Sequence, residues 1–176
     1  MQGIAIKRCL VSIIIVLGLA YRPADTQAED ANRVFLPQMA IRILIADDDL
    51  SIRRLIVRLI EAHPDWSICG DARDGKEAVT KASELSPDVV VLDLAMPQMN
   101  GLQAAREITR QQPDTPLLLL TVQQVSKELT REAVLAGFKG AVSKNTGSEV
   151  VRAIESLLNH QNFFDPVRND AYERFA

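Results

Sequence analysis

The sequence predicts an α/β protein with a doubly wound, five-stranded parallel sheet. From residue 40 to residue 160, short apolar runs alternate five times with segments whose apolar residues recur at helical spacing. Strands that alternate with helices form parallel sheets, because a right-handed helical crossover returns the chain to the same edge. The run at residues 88–93 (DVVVLD) is apolar on both faces, as a strand covered on both sides requires.

The elements follow in a regular order. The first strand covers residues 41–46 (IRILIA), and a helical pattern follows it. Ser51 just before this pattern and His63-Pro64 just beyond it are typical of a helix start and stop. The other predicted strands cover residues 66–70, 88–93, 116–121 and 139–143, and the other predicted helices cover about 75–85, 101–111, 126–136 and 148–160.

The amino-acid composition limits the classes of function that this protein can have. The 176 residues are 47% hydrophobic and 24% charged with a net charge of -3, which fits a globular domain and excludes a strongly basic nucleic-acid binder. Two cysteines, Cys9 and Cys69, are too few for a disulfide framework or a thiolate zinc cluster. With only His63 and His160, a multi-histidine metal site is excluded as well. Any metal would therefore bind carboxylates.

The first 38 residues differ from the rest. Lys7 and Arg8 precede an uncharged run at residues 9–21 and a polar segment at 22–32, an order similar to a secretory signal. The 13 uncharged residues fall short of the roughly 20 that span a bilayer as a helix. Three interpretations stay open: a start-site artefact with Met39 as the true initiator, a membrane anchor, and a cleaved signal. The first is preferred, because the first strand begins directly after Met39.

The chain is accordingly divided into three parts. Residues 1–38 form a leader and linker, residues 39–160 the α/β domain, and residues 161–176 a short tail. The tail is too short for another domain, and its aromatic residues either pack against the domain or belong to a linker. They are Phe163, Phe164, Tyr172 and Phe175.

Polar side chains follow four of the predicted strands. In an open parallel sheet the carboxyl ends of the strands form one edge, where ligands bind. Several carboxylates at one edge repel one another unless a cation lies between them, and an all-oxygen site suits Mg²⁺. A hydroxyl and an ammonium complete a pocket for a phosphoryl group. The residues in question are Asp47, Asp48, Asp49, Asp93, Thr121 and Lys144.

Asp93 is the candidate acceptor of the phosphoryl group, because a carboxylate can form an acyl phosphate. It ends the most central apolar strand and precedes a loop at residues 94–101. Pro97 fixes one turn of this loop and Asn100-Gly101 permits positive φ, so we expect the loop to direct a backbone carbonyl at the metal.

Taken together, the acidic triplet, the segment DLAMPQMNG at residues 93–101, Thr121 and Lys144 resemble the receiver domain of bacterial two-component response regulators, over about residues 40–160. The resemblance implies a flavodoxin-like (βα)5 fold. It makes Asp93 the phosphoacceptor and Lys144 the phosphate-pairing lysine. The opening segment RILIADDD is also similar to regulators with a C-terminal helix-turn-helix.

The resemblance also assigns the remaining site residues. It makes Asp47 and Asp48 the pair that holds Mg²⁺ together with Asp93 and the backbone carbonyl of Ala95, and it makes Thr121 the switch hydroxyl. It implies a histidine kinase as phosphoryl donor, and a downstream effector or a second copy as reader of the signal. Turnover of a small molecule and direct nucleic-acid binding are not expected. Because phosphohistidine donors are cytosolic, the resemblance implies a cytoplasmic domain, with an anchor through residues 9–21 left open.

The sequence departs from the family pattern in two places. Ala141 follows Gly140, where the family usually has an aromatic residue that rotates on activation. Val122 follows Thr121, where the family usually has alanine or glycine, so access to Asp93 is expected to be narrower. These departures motivate one alternative, a pseudo-receiver that acts by protein contact alone.

A second alternative belongs to another class. Asp47-x-Asp49 after the first strand, with a later threonine and lysine, also resembles haloacid-dehalogenase-type phosphatases, in which the first aspartate is the nucleophile. That family needs a further acidic pair after a later strand, and nothing after Lys144 supplies one. The phosphatase would also leave the segment at residues 93–101 unexplained.

Overall fold

The computed structural model describes residues 40–164 and contains one parallel sheet with the strand order β2-β1-β3-β4-β5-β6. The predicted doubly wound α/β fold is confirmed. The leader, including residues 9–21, and the tail beyond residue 164 lie outside the described residues. The strands are β1 Ile41–Ala46, β2 Trp66–Ala72, β3 Val89–Asp93, β4 Leu117–Thr121, β5 Gly140–Ser143 and β6 Phe163–Phe164. The helices are α1 Leu50–Glu61, α2 Gly75–Leu85, α3 Gly101–Gln111, α4 Lys127–Ala136 and α5 Gly147–Leu158.

Local capping explains where the helices begin. Asp49 is the N-cap of α1, and its carboxylate accepts hydrogen bonds from the backbone N–H of Ser51 and Ile52. Ser51, which the pattern suggested as the start signal, therefore lies inside the helix. Asn100 and Gln103 form a reciprocal capping box at the start of α3.

The core consists of two apolar clusters, one on each face of the sheet. α1 and α5 cover one face, and α2, α3 and α4 cover the other. Every residue of β3 and β4 is buried, as the continuous apolar runs of these strands predict. Successive residues alternate between the faces, so that Leu118 packs on the α1 and α5 side while Leu117 and Leu119 pack on the other.

Strand β2 is longer than predicted and contains an irregularity. Ile43 pairs with Ile68 and the next residue, Leu44, pairs with Gly70, so Cys69 is an extra residue in β2. A bulge of this kind changes which face the later side chains of the strand occupy. The strand then continues to Ala72, two residues beyond the predicted end.

A short sixth strand follows α5, where the sequence predicted only a tail. The backbone N–H of Phe163 donates to the carbonyl of Lys139 at 2.9 Å, and β6 pairs in parallel with β5. Phe163 packs with the α1 and α5 cluster and Phe164 with the opposite cluster. A Cβ at position 140 would lie 2.6 Å from the Phe163 carbonyl oxygen, so the close approach depends on Gly140.

No helix among residues 40–164 is both long enough and apolar enough to traverse a bilayer.

The core assignment predicts a large loss of stability on Leu118→Ala. Leu118 is fully buried, so truncation should lower the free energy of unfolding by about 2–5 kcal/mol. The matched variant Leu135→Ala truncates a side chain that is 74% exposed and should change it by less than about 0.5 kcal/mol. Urea denaturation measures both. Similar losses for the two variants would contradict the assignment.

Candidate functional site

The carboxyl edge of the sheet brings the predicted acidic residues together. Ala46 at the end of β1 pairs with Leu92, one residue before Asp93, so the residues that follow the two strands are neighbours. Asp47, Asp48 and Asp93 each offer a carboxylate oxygen, and these oxygens all lie within 4.8 Å of one another. Asp47 and Asp93 are buried, whereas Asp48 is exposed. The predicted convergence of these three carboxylates is thus present in the structure.

Lys144 lies between two of these carboxylates. Its Nζ is 2.6 Å from Oδ2 of Asp47 and 2.8 Å from Oδ1 of Asp93, and its side chain is only 8% exposed. The backbone N–H of Lys144 donates to the carbonyl of Thr121, which fixes the turn after β5 to the end of β4. One ammonium therefore offsets part of the repulsion between two buried negative charges.

The protonation of the site follows from burial and from these contacts. Burial raises the pKa of Asp47, and this effect outweighs the nearby Lys144 ammonium and the Asp49 N–H, which act in the opposite direction. Burial disfavours the charged form of Lys144, but its contacts with Asp47 and Asp93 outweigh this effect and raise its pKa. Lys144 thus stays charged, while Asp47 is held in an environment that penalises its negative charge.

The acidic cluster fits a hard cation. Oδ1 of Asp47 accepts a hydrogen bond from the Asp49 N–H at 2.9 Å. Oδ2 of Asp47 is buried, and the Lys144 ammonium lies 2.6 Å from it. A carboxylate oxygen has two lone pairs, so pairing with one ammonium leaves capacity for a metal ligand bond. Three converging carboxylates with such an oxygen suit Mg²⁺.

The loop after β3 holds Asp93 in place. Oδ2 of Asp93 accepts a hydrogen bond from the Ala95 N–H at 3.2 Å. The residue with positive φ in this loop is Gln98, at 62°, and not Asn100 or Gly101 as expected. Gly101 is needed for a different reason, because a Cβ there would lie 2.2 Å from the carbonyl oxygen of Asp93. The Ala95 carbonyl as a metal ligand stays a prediction.

The remaining predicted residues lie around this cluster. Thr121 is buried at the end of β4, and its Oγ1 accepts a hydrogen bond from the Gln123 N–H at 3.0 Å. Val122 is 67% exposed, and Ala141 is fully buried in β5. The effects of Val122 on access and of Ala141 on switching stay predictions.

Sequence reasoning overlooked two groups of supporting contacts. Arg53, a residue of α1, donates to the carbonyl of Asp47 at 2.7 Å. Asp74, the buried N-cap of α2, accepts a hydrogen bond from the Gln98 side chain. The second contact joins residues 24 positions apart, whereas Arg53 lies six positions from Asp47. No local pattern signals them.

Comparison with known proteins agrees with this geometry. Residues 43–155 match the family model described as the response regulator receiver domain, which is more than half of the chain. The chain belongs to this family, as the sequence resemblance indicated.

Individual relatives point the same way. The chain is 40% identical over 110 residues to the transcriptional regulatory protein YdfI of Bacillus subtilis, covering 62% of this chain and 51% of that protein. It is 35% identical over 108 residues to a protein-glutamate methylesterase/protein-glutamine glutaminase of Thermotoga maritima, covering 61% of this chain and 31% of that protein. The crystal structure of a LuxR-family two-component response regulator from Aurantimonas sp. SI85-9A1 is similar with a TM-score of 0.69 at 33% identity, covering 72% of this chain and 91% of that one.

These relatives match this chain over one region and differ in how much of their length that region covers. The chain spans about half of the Bacillus protein and about a third of the Thermotoga protein. The Bacillus relative is named a transcriptional regulatory protein. This agrees with the similarity of the opening segment RILIADDD to regulators that carry a C-terminal helix-turn-helix. The receiver match also includes the residues on which the phosphatase alternative depended, Asp47 and Lys144.

The position of Lys144 predicts a stability effect. Lys144→Met should lower the free energy of unfolding at neutral pH by about 3 kcal/mol, because it leaves Asp47 and Asp93 buried without their counterion. Lys76→Met, which removes the same charge from an exposed position, should have an effect below about 0.5 kcal/mol. Urea denaturation without divalent cations measures the difference. A Lys144→Met domain as stable as the wild type would show that the ammonium does not offset the repulsion.

Proposed function

We propose that this chain is a phosphoacceptor module of a two-component phosphorelay, which takes a phosphoryl group from a histidine kinase onto Asp93. The observation that carries the proposal is the placement of the Asp93 carboxylate. It lies 2.8 Å from the Lys144 ammonium and within 4.8 Å of two further carboxylates. This is the charge arrangement that phosphoryl transfer to a carboxylate requires.

The transfer needs an acceptor oxygen in line with the leaving group. One oxygen of Asp93 attacks phosphorus while the bond from phosphorus to the histidine nitrogen of the donor breaks, and the imidazole leaves with the electron pair. The Lys144 ammonium then pairs with one phosphoryl oxygen, and the Thr121 hydroxyl donates to another. No further nucleophile is required.

The carboxylates of Asp47, Asp48 and Asp93 and the carbonyl of Ala95 would hold Mg²⁺. When bound, the cation neutralises charge on the phosphoryl oxygens. One carboxylate oxygen from each of Asp47, Asp48 and Asp93 lies within 4.8 Å of the other two, which supports this assignment.

The output of the module is a changed surface. Phosphorylation turns the singly charged Asp93 carboxylate into an acyl phosphate that carries nearly two negative charges, which would draw Thr121 and Lys144 inward. Thr121 is the last residue of β4, Lys144 directly follows β5, and α4 lies between these two strands in the chain. Leu135 on α4 is 74% exposed, so this side of the domain already presents apolar surface. A downstream effector or a second copy of the chain would read the change.

The cellular setting follows from the donor. A histidine kinase presents its phosphohistidine in the cytoplasm, so we place this domain there. Met39 as initiator or an anchor facing the cytoplasm would both satisfy this condition. The three-part division at residues 38 and 160 belongs to the same proposal, with β6 as an extension of the domain into the tail.

The first functional prediction concerns Asp93→Asn. Incubation with acetyl phosphate and Mg²⁺ should give a phosphoryl adduct in the wild type and none in Asp93→Asn, because the amide is not an acceptor. Asp114→Asn, a matched change at an exposed position, should leave the adduct intact. Intact-mass spectrometry detects it, and omission of Mg²⁺ should suppress it.

Other outcomes of this experiment favour the alternatives. A well-folded wild type that forms no adduct under any donor condition would support the pseudo-receiver. Turnover of free phosphate esters that Asp47→Asn abolishes and Asp93→Asn spares would support the phosphatase.

The second functional prediction separates phosphorylation from switching. Thr121→Val should still form the adduct, but the phosphorylation-dependent change in amide hydrogen exchange over residues 121–143 should be lost, because the hydroxyl that follows the phosphoryl group is absent. Thr115→Val, which removes a hydroxyl in the connection before β4, should retain the change. A full exchange response in Thr121→Val would contradict a switching role for this hydroxyl.

A further inference from the structure

We propose that Arg53 is a positioning residue, which holds the Asp47–Asp48 peptide so that both carboxylates face the cation. The inference rests on the proposed function and names a residue of α1 outside the predicted site. Arg53 is 13% exposed, although it lies in the first turn of a surface helix, whereas its neighbour Arg54 is exposed. An arginine buried to this degree requires partners for its guanidinium.

The guanidinium of Arg53 is fixed at two points. Its Nη1 donates to the carbonyl oxygen of Asp47 at 2.7 Å, and its Nε donates to Oδ2 of Asp71 at 2.8 Å. The backbone N–H of Arg53 also donates to the carbonyl of Asp49, as the first turn of α1 requires. The planar fork of an arginine can make both side-chain contacts at once, and the single ammonium of a lysine cannot reproduce that geometry.

The bulge in β2 places Asp71 where Arg53 can reach it. After the extra residue Cys69, Asp71 pairs with Ile45, whose side chain belongs to the cluster under α1 and α5. If β2 alternated regularly through Cys69, Asp71 would lie on the face opposite to Ile68, away from α1. The irregularity in β2 and the burial of Arg53 are therefore parts of one arrangement.

The contact with Asp47 acts on both metal-binding side chains. The carbonyl that Arg53 binds belongs to the peptide between Asp47 and Asp48, so the orientation of this peptide affects the directions of the side chains on either side of it. The N–H of Asp47 is fixed as well, because it donates to the carbonyl of Ala72 at 3.1 Å. Groups that orient ligands without touching the ion commonly change metal affinity by roughly 10–100-fold.

The test compares Arg53→Gln with Arg54→Gln, which removes the same charge from the next residue of the same helix. Calorimetric titration of the full chain with Mg²⁺ should show about tenfold weaker binding for Arg53→Gln and unchanged binding for Arg54→Gln. Asp71→Asn should have a smaller effect, because Arg53 keeps its bond to the Asp47 carbonyl. Arg53→Lys should not restore wild-type affinity, because it cannot make both contacts.

A second readout needs no metal. In Mg²⁺-free protein, amide hydrogen exchange at residues 46–50 should be faster in Arg53→Gln than in Arg54→Gln, because the Asp47 peptide is released. A role limited to stability would lower the thermal midpoint and leave Mg²⁺ affinity unchanged well below it, and this result would overturn the proposal.

The outcomes distinguish this inference from the proposed function. If the wild type and Arg54→Gln bind Mg²⁺ and form the Asp93 adduct while Arg53→Gln and Arg53→Lys bind equally well, the inference fails and the function stands. If the wild type itself neither binds Mg²⁺ nor forms the adduct, the proposed function fails first. If Arg53→Gln does not fold, Arg53→Lys and Asp71→Asn give the same comparison, and wild-type affinity in both would overturn the inference.

Discussion

The repulsion between buried carboxylates at one edge of the sheet is the constraint on which the site depends. Two unit charges within 4.8 Å repel by at least roughly 3 kcal/mol at an effective dielectric constant of about 20. Lys144 lies within 2.8 Å of both Asp47 and Asp93 and offsets part of this energy. One positive charge does not balance three negative ones. A divalent cation would offset the remaining negative charge and so allow an anionic phosphoryl group to approach Asp93.

The regular part of the fold could be predicted because its signals are local. β3 and β4 are continuous apolar runs, and runs of this kind occur where both faces of a strand are covered. β6 could not be predicted in this way, since two residues carry no periodicity. Its pairing depends on Gly140, which lets the Phe163 carbonyl approach β5. The bulge at Cys69 likewise depends on packing between distant elements.

The site was predictable to the extent that it follows from topology. Parallel strands end at the same edge of the sheet. The acidic residues at the ends of β1 and β3 are therefore neighbours whatever conformation the loops adopt. The conformation of the loops was harder to predict from the sequence. In the loop after β3, the residue with positive φ is Gln98 and not Asn100 or Gly101. A left-handed residue that is neither glycine nor asparagine requires support from its surroundings. That support comes from Asp74, which accepts a hydrogen bond from the Gln98 side chain.

Contacts that support the loops after β1 and β3 come from one segment, residues 71–75, which runs from the end of β2 to the start of α2. Asp71 fixes Arg53, and Ala72 accepts a hydrogen bond from the Asp47 N–H, so this segment holds the loop after β1. Asp74 binds Gln98, and Gly75 donates to the Met99 carbonyl at 3.1 Å, so it also holds the loop after β3. A segment that supplies none of the candidate ligands therefore fixes the distance between those that do. The separation of Asp47 and Asp93 is consequently sensitive to packing at β2, an edge strand of the sheet.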